Sequence, residues 1–364
     1  MRVALVCPYS WSVPGGVQSH VAGLASALRR DGVEAEILAP ADGPVEDARV
    51  VPLGRSIPIP DNGAVQRVAL SPAAVARTAR LVRNRGYDLV HVHEPLIPAA
   101  SLTALLASRV PVVGTFHMVA PGRRWYRVFG PLVRRWVARL DERIAVSDAA
   151  RRYVAQSCPG RYRVVPNGVD VAAFARLDGR RAGLRILFIG RPEPRKGLPV
   201  LLEAFRRLPG EPTLELVGVP ERDVRPLPER VRAHGRVSDA QRDRLLAEAD
   251  VLCAPSLAAE SFGVVLVEGM AAGVPVVASA LDGYREVLPE RCGRLVPPGD
   301  PAALAGALQE LLADVELRRR LGEAGREVAR RFDWSRVAEQ VLAAYEAALG
   351  RALVQGDQPE AVQV

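Results

Sequence analysis

Two glutamates, Glu260 and Glu268, are the only charges between Asp250 and Asp282, in the run E-S-F-G-V-V-L-V-E-G-M-A-A-G-V-P-V-V-A-S over 260–279. A carboxylate in a stretch built for burial is costly unless something partners it. The pattern predicts a strand over 251–254, a loop, a short buried helix from about Phe262 to Ala272 with Gly273 as its C-cap, and a strand over 275–279. Glu260 then sits just before a helix N-terminus. Glu268 lies about two turns on, roughly 12 Å away at 1.5 Å per residue. That is too far for an acid/base pair on one atom and suits a grip on two ends of an extended ligand. A helix N-terminus between them can hold a diphosphate on its free N–H groups. The pair therefore points to a nucleotide sugar, one acid on the sugar hydroxyls and the other on the ribose. Two ordinary solvated glutamates are the plainer reading, and it suits a lone Glu better than this pair.

Fixed cations complete such a site. Of 49 basic residues only Lys196 is a lysine, and it stands in Gly190-Arg191-Pro-Glu-Pro-Arg195-Lys196-Gly197 after an apolar strand. Arg191 and Lys196 at a helix opening suit a departing diphosphate, whose negative charge grows as the glycosidic bond breaks. A surface turn is the alternative. Gly15-Gly16, ahead of a helical pattern from Val17 to Arg30 that ends at Gly32, fits a tight turn and a close backbone approach to phosphate equally well. It is not G-x-G-x-x-G, so no dinucleotide site is indicated. Val112-Val-Gly-Thr-Phe-His117 ends on a histidine at the C-terminal edge of a strand, where ligands collect in open α/β sheets. His91 and His93 share one face of a strand, but with no third ligand nearby in sequence they do not indicate a metal site. His20, on the first helix, reads as structural.

The elements needed to place these residues alternate strand and helix. Strands are expected at 2–7, 33–39, 88–93, 111–116, 143–147 and 162–166, as in a doubly wound parallel sheet. Pro166-Asn167-Gly168-Val169-Asp170 breaks the series and a low-complexity linker follows through Arg181. A second series opens at Leu184, with helix 197–207, strand 213–218, helix 239–249 and helices near 301–313 and 316–331. A last helix from Trp334 to Leu349 carries Val337, Val341, Leu342, Tyr345 and Leu349 on one stripe. The expected domains are 1–168 and 169–333, two Rossmann-like halves facing across a cleft, then a helix over 334–350 that crosses back to the first. A disordered tail is expected over 351–364.

Composition narrows the class. With 25% charged and 49% hydrophobic residues the chain is ordinary globular protein. No signal-peptide pattern and no twenty-residue apolar run occur. Four scattered cysteines without C-x-x-C suit reduced thiols and a cytoplasmic location. Residues 1–168 hold 22 arginines against 12 acidic residues, whereas the remainder holds 27 basic and 29 acidic. A basic first half suggests an anionic partner. Nucleic acid is the weakest such partner, since no binding motif for it is present.

Taken together, Pro14-Gly15-Gly16, Pro166-Asn167-Gly168-Val169-Asp170, Gly190-Arg191 with Lys196-Gly197, and Glu260-x7-Glu268 resemble the retaining glycosyltransferases of the GT-B fold, family 4. The likeness runs from Met1 to about Leu349. Within the family, Cys7-Pro8-Tyr9-Ser10 through Val21, His91-Val-His-Glu-Pro95, Ala145-Val-Ser147 and Ala254-Pro255 with Glu260-Ser261-Phe262-Gly263 look most like the phosphatidylinositol mannosyltransferases of actinobacteria. Those move mannose from GDP-mannose to the inositol ring on the cytoplasmic face of the membrane. The resemblance implies that Gly15 and Gly16, Arg191 and Lys196 hold the diphosphate. It puts Glu260, Ser261, Phe262 and Gly263 on the transferred sugar and Glu268 on the ribose. It places His117 by the anomeric carbon, and Tyr9 and Gln18 on the acceptor. Two departures lie near these positions: a turn between Arg191 and Lys196 one residue shorter than in the mannosyltransferases, and Met118-Val-Ala-Pro-Gly where a Ser/Thr-rich stretch is usual.

The reaction implied is hexosyl transfer with retention, the arginine–lysine pair replacing a cation, with no cofactor and no essential metal. No Asp-x-Asp precedes an apolar strand, in keeping with that. A small soluble cyclitol or natural-product acceptor is the alternative within the class. A non-catalytic nucleotide-sugar or membrane-binding protein is the alternative outside it, and the full set of His117, Arg191, Lys196, Glu260 and Glu268 argues against it. Residues 123–139 hold six arginines and two tryptophans. On a helical wheel Trp125, Phe129, Leu132, Val133, Trp136 and Leu140 share one side, and Pro131 fits a first turn. Packing of that stripe on its own sheet is the plainer reading, but it does not explain the arginines and tryptophans; Arg123, Arg124 and Arg127 are therefore expected to meet an anionic membrane, making the protein cytoplasmic or peripheral at the inner face.

Overall fold

β-branched runs become strands and glycine-punctuated apolar stripes become helices in the computed structural model, which describes residues 1–61, 64–118, 130–177 and 183–356. The chain divides into two units, Met1–Gly168 with the residues from Trp334 onward, and Val169–Asp333.

In the first unit β1 (Arg2–Val6), β2 (Glu34–Ala39), β3 (Val50–Pro52), β6 (Leu89–His93), β7 (Val112–Phe116), β8 (Glu142–Ala145) and β9 (Arg163–Val164) form one parallel sheet in the order β3-β2-β1-β6-β7-β8-β9. A separate antiparallel hairpin, β4 (Ile57–Asp61) and β5 (Ala64–Val68), touches the body through a bridge from Val68 to Tyr9. The helices are α1 (Gly16–Arg30), α2 (Pro72–Asn84), α3 (Ala100–Ala107), α4 (Gly130–Val137) and α5 (Asp148–Ala155). In the second unit α6 (Val171–Ala175) precedes a six-stranded parallel sheet of β10 (Arg185–Ile189), β11 (Thr213–Val217), β12 (Val231–Gly235), β13 (Val251–Ala254), β14 (Val276–Ser279) and β15 (Gly293–Val296). Its order is β12-β11-β10-β13-β14-β15. Its other helices are α7 (Leu198–Arg206), α8 (Asp239–Ala247), α9 (Val264–Ala272), α10 (Asp282–Val287), α11 (Pro301–Ala313) and α12 (Val315–Ala329); α13 (Trp334–Gly356) returns to the first unit.

The first sheet is covered on both faces, as an all-parallel sheet must be. Val21, Leu24 and Leu28 of α1 pack with Val337, Val341 and Tyr345 of α13 over one face. Val82 of α2, Leu105 of α3 and Val133 and Val137 of α4 cover the other. Each such side chain contributes roughly 1.5–3 kcal/mol on burial, which secures a helix that joins its unit only after 165 residues spent in the other. Trp334 is the peg: a Cβ at either Gly23 or Gly168 would overlap its ring.

Several expectations are corrected. The linker is not wholly irregular, because Asp170 accepts from Ala173 N and caps α6; residues 178–181 lie outside the described residues. The tail is helical as far as Gly356, since Arg351-Ala-Leu continues in good helix formers; the remainder, 357–364, lies outside the described residues. Where it is described, the apolar stripe of 123–139 packs on its own sheet, as the plainer reading of such a stripe expects, and only the wheel is corrected. Val133, Val137 and Leu140 are buried and Trp136 is half-buried, whereas Leu132 is exposed, against the wheel that put it with them. Strands β3, β12 and β15 and the hairpin escaped the sequence reading because they are short or contain Pro or Gly.

Helix propensity and packing make opposite demands at two glycines. Gly306, mid-helix in α11 with open space around it, should gain about 0.5–1 kcal/mol on Gly306→Ala. Gly23→Ala in α1 gains the same propensity but drives a methyl into Trp334, so a net loss of about 1–3 kcal/mol is expected. Urea unfolding of both variants beside the wild type checks the opposite signs.

Candidate active site

Strand order decides what meets at the site of the second unit. β10 and β13 are neighbours although they are not consecutive, so the connections reverse there, and loops after the two strands open onto one crevice. The first loop runs from Gly190 into a 3-10 turn, Pro194–Lys196, and the second leads from Pro255 to Gly263. They are laced together by Leu257 N donating to Arg195 O at 2.7 Å. Gly197, at φ 70°, is obligatory because a Cβ there would overlap Pro255 O.

Glu260 Oε1 is the focus. It accepts from Lys196 Nζ at 2.6 Å, Arg195 at 2.9 Å and Ser256 Oγ at 3.2 Å. Ser256 is in turn bonded to the buried Tyr284 hydroxyl at 3.0 Å. Glu193 bridges Arg191 at 3.0 Å and Arg195 at 2.7 Å. Three cations thus face two carboxylates. Arg191, with 53% of its side chain exposed, is the outermost of the cations, and Lys196 at 21% sits among the fixed groups. The sequence paired Arg191 with Lys196; the structure makes Arg195 the cation that shares Glu260 with the lysine. In a chain with 48 arginines the type of Arg195 carried no signal, and only adjacency to Lys196 could have marked it.

Glu268, in the second turn of α9, has a separate partner, Arg242 of α8, at 3.6 Å. Burial pushes its pKa up to about 7, with Arg242 pulling the other way. The Arg242 guanidinium lies over the Phe174 ring at 5.7 Å. α9 begins at Val264 rather than Phe262, because Gly263 takes φ 94° and a Cβ there would strike Tyr284. Ser261 lies in the loop, and the Phe262 ring is buried edge-on against Phe332.

In the first unit the reversal falls between β1 and β6. Tyr9 follows β1; it is buried and its hydroxyl donates to Met118 Sδ at 3.7 Å. Gln18 reaches back from α1, donating to Ser10 O and Val13 O, so its amide nitrogen braces the loop that ends in Gly15 and Gly16. His117 follows β7 directly. His93 Nδ1 lies 3.0 Å from His117 Nε2, and the His20 ring stands edge-on to both. This corrects two readings: His20 faces the site, and His93 does have further histidines beside it. One ligand atom each from His20, His93 and His117 lie within 4.8 Å of one another, a group that could hold a metal ion. Burial lowers all three pKa values, that of His20 to about 3, so the rings are neutral at pH 7. Arg123, Arg124 and Arg127 lie outside the described residues.

Comparison with known proteins gives the family. Residues 14–173 match the family model described as Glycosyltransferase Family 4, and residues 183–314 match Glycosyl transferases group 1. A phosphatidyl-myo-inositol mannosyltransferase of Mycobacterium leprae is 45% identical, over 95% of this chain and 96% of its own length. That of Mycolicibacterium smegmatis is 43% identical, over 96% and 95%. The chain belongs to glycosyltransferase family 4. It is a glycosyltransferase enzyme. Among solved structures, Anabaena Alr3699/HepE in complex with UDP-glucose superposes with a TM-score of 0.75 at 22% identity, over 95% of this chain and 100% of that one. Sucrose-phosphate synthase of Thermosynechococcus elongatus gives 0.73 at 23%, over 98% and 100%. At that identity the likeness shows the fold, GT-B. Among the described residues of this glycosyltransferase, no helix is long and apolar enough to cross a membrane.

The Glu268 shift has a sign that can be checked. With a folded pKa of about 7 against an ordinary 4.5, the folded chain holds this proton more tightly than the unfolded chain. Glu268 therefore subtracts stability as pH rises from about 4.5 to 7. Glu268→Gln should gain on the wild type between pH 5 and pH 8 in urea unfolding; a constant difference would contradict the shift.

Proposed function

We propose that this glycosyltransferase moves mannose, with retention, from GDP-mannose to an inositol-type acceptor, phosphatidylinositol at the cytoplasmic membrane face. The observation that carries the reading is the near full-length likeness to phosphatidyl-myo-inositol mannosyltransferases, at 35–45% identity. The chemistry of both units is compatible with it.

Arg191, Arg195 and Lys196 take the diphosphate, stabilising charge that builds on the leaving oxygen. These fixed cations supply the neutralisation that a divalent ion would otherwise provide. The diphosphate competes with Glu260 for Lys196 and Arg195, which leaves the Glu260 carboxylate to the sugar hydroxyls. Ser261, Phe262 and Gly263 shape the loop on the sugar, and Glu268 takes the ribose. Gly15 and Gly16 give backbone N–H groups access to phosphate, with His117 at the anomeric carbon and Tyr9 and Gln18 on the acceptor side. The bond from C1 to the phosphate oxygen breaks as the acceptor oxygen joins C1 on the same face, and the acceptor's proton passes to the leaving phosphate.

Released GDP or UDP, measured over a panel of GDP- and UDP-linked sugars with phosphatidylinositol and free myo-inositol, tests the assignment. Turnover with free cyclitol alone would move it to a soluble acceptor. Lys196→Ala should lower kcat/KM about a hundredfold, roughly 3 kcal/mol, with Lys196→Arg recovering only part.

The basic segment supports membrane docking, each arginine adding about 1 kcal/mol near an anionic surface. The protein should pellet with anionic vesicles at low salt and release at high salt. Serine at positions 123, 124 and 127 should abolish pelleting and spare nucleotide binding.

A further inference from the structure

We propose that His93 is a positioning residue for His117, fixing its tautomer by donating a hydrogen bond from Nδ1–H to His117 Nε2. The inference rests on the reading that His117 stands at the anomeric carbon, and it deepens that reading.

Two neutral imidazoles 3.0 Å apart share one proton in the bond between them. If His117 were the donor, His93 would carry its own proton on Nε2. That atom is buried and has no hydrogen-bond partner among the described residues, so the proton would be an orphaned N–H. If His93 donates from Nδ1, Nε2 holds only a lone pair. Buried orphan donors are rarer than under-used acceptors and cost the full desolvation of the group. The second arrangement is therefore favoured, and it leaves the proton of His117 on Nδ1.

The neighbouring His91 shows the contrast. Both of its ring nitrogens have partners, Tyr345 OH at 2.8 Å and Thr115 Oγ1 at 2.7 Å. Both are hydroxyls that donate or accept, so neither fixes a tautomer. His91 supports the pair by stacking on His93, with centroids 4.3 Å apart. The backbone clamps the geometry further: Ser101 Oγ donates to His93 O at 2.6 Å, and His117 N donates to Glu94 Oε1 at 2.7 Å. Glu94 itself sits at φ 50°, a left-handed conformation held directly after the strand that delivers His93. His117 is thus neutral, held in place and protonated at one known nitrogen.

Long-range ¹H–¹⁵N spectra of the full chain with ¹⁵N-labelled histidine distinguish the tautomers without any turnover. The expected result is His117 protonated at Nδ1, retained in His93→Asn, whose amide N–H replaces the His93 Nδ1–H, and mixed in His93→Leu. In steady-state assays His93→Leu should lower kcat about tenfold while the donor KM stays within about twofold, and His93→Asn should recover most of the loss. His117 protonated at Nε2 in the wild type, or full kcat in His93→Leu, would overturn the proposal. Full kcat in His117→Ala would instead sink the placement of His117 at the reacting carbon, whatever the spectra show.

Discussion

The carboxylate of Glu260 cannot be left without partners, and its cationic partners come from a loop some 64 residues away in sequence. The contact exists only because β10 and β13 lie side by side at the reversal of strand order. Parallel strands project their loops at one end, so the residues after β10 and after β13 converge without any further device. Much else in that unit serves this convergence. Gly197 is bare so that Pro255 can come close, Gly263 so that Tyr284 can, and Tyr284 supports the Ser256 that completes the Glu260 hydrogen bonds.

The two units use opposite electrostatics. In the second, three cations and two carboxylates are held in mutual contact, a surplus of positive charge arranged by fixed pairs. Charge there suits a ligand that is itself strongly anionic. In the first, burial strips four histidines of their charge, and hydrogen bonds and ring stacking arrange them instead. Neutral rings donate and accept single hydrogen bonds in fixed directions. The helix α13 contributes to both the core and this arrangement, since Tyr345 packs with α1 and bonds His91.

A good deal of this was legible in the residues alone. The alternation of β-branched runs with helical stripes gave both sheets, because burial on both faces forces continuous apolar strands. The isolated Glu260 and Glu268 stood out since charge in an apolar run needs a reason, and Lys196 stood out by being a lone lysine among arginines. His117 was found from its place at a strand's end. Those signals are local, and each survives in one dimension.

What the sequence by itself determined was therefore the class of fold, the order of elements and the residues whose types stand out from their surroundings. Tertiary structure alone decided which of them meet. Arg195 rather than Arg191 shares Glu260 with Lys196, Arg242 answers Glu268, and His20 and His93 join His117. Sequence spacing places residues along one strand or helix, whereas these contacts cross between elements whose adjacency depends on strand order. That order is settled by how the sheets bury their faces, a property of the whole unit that no short stretch of residues carries.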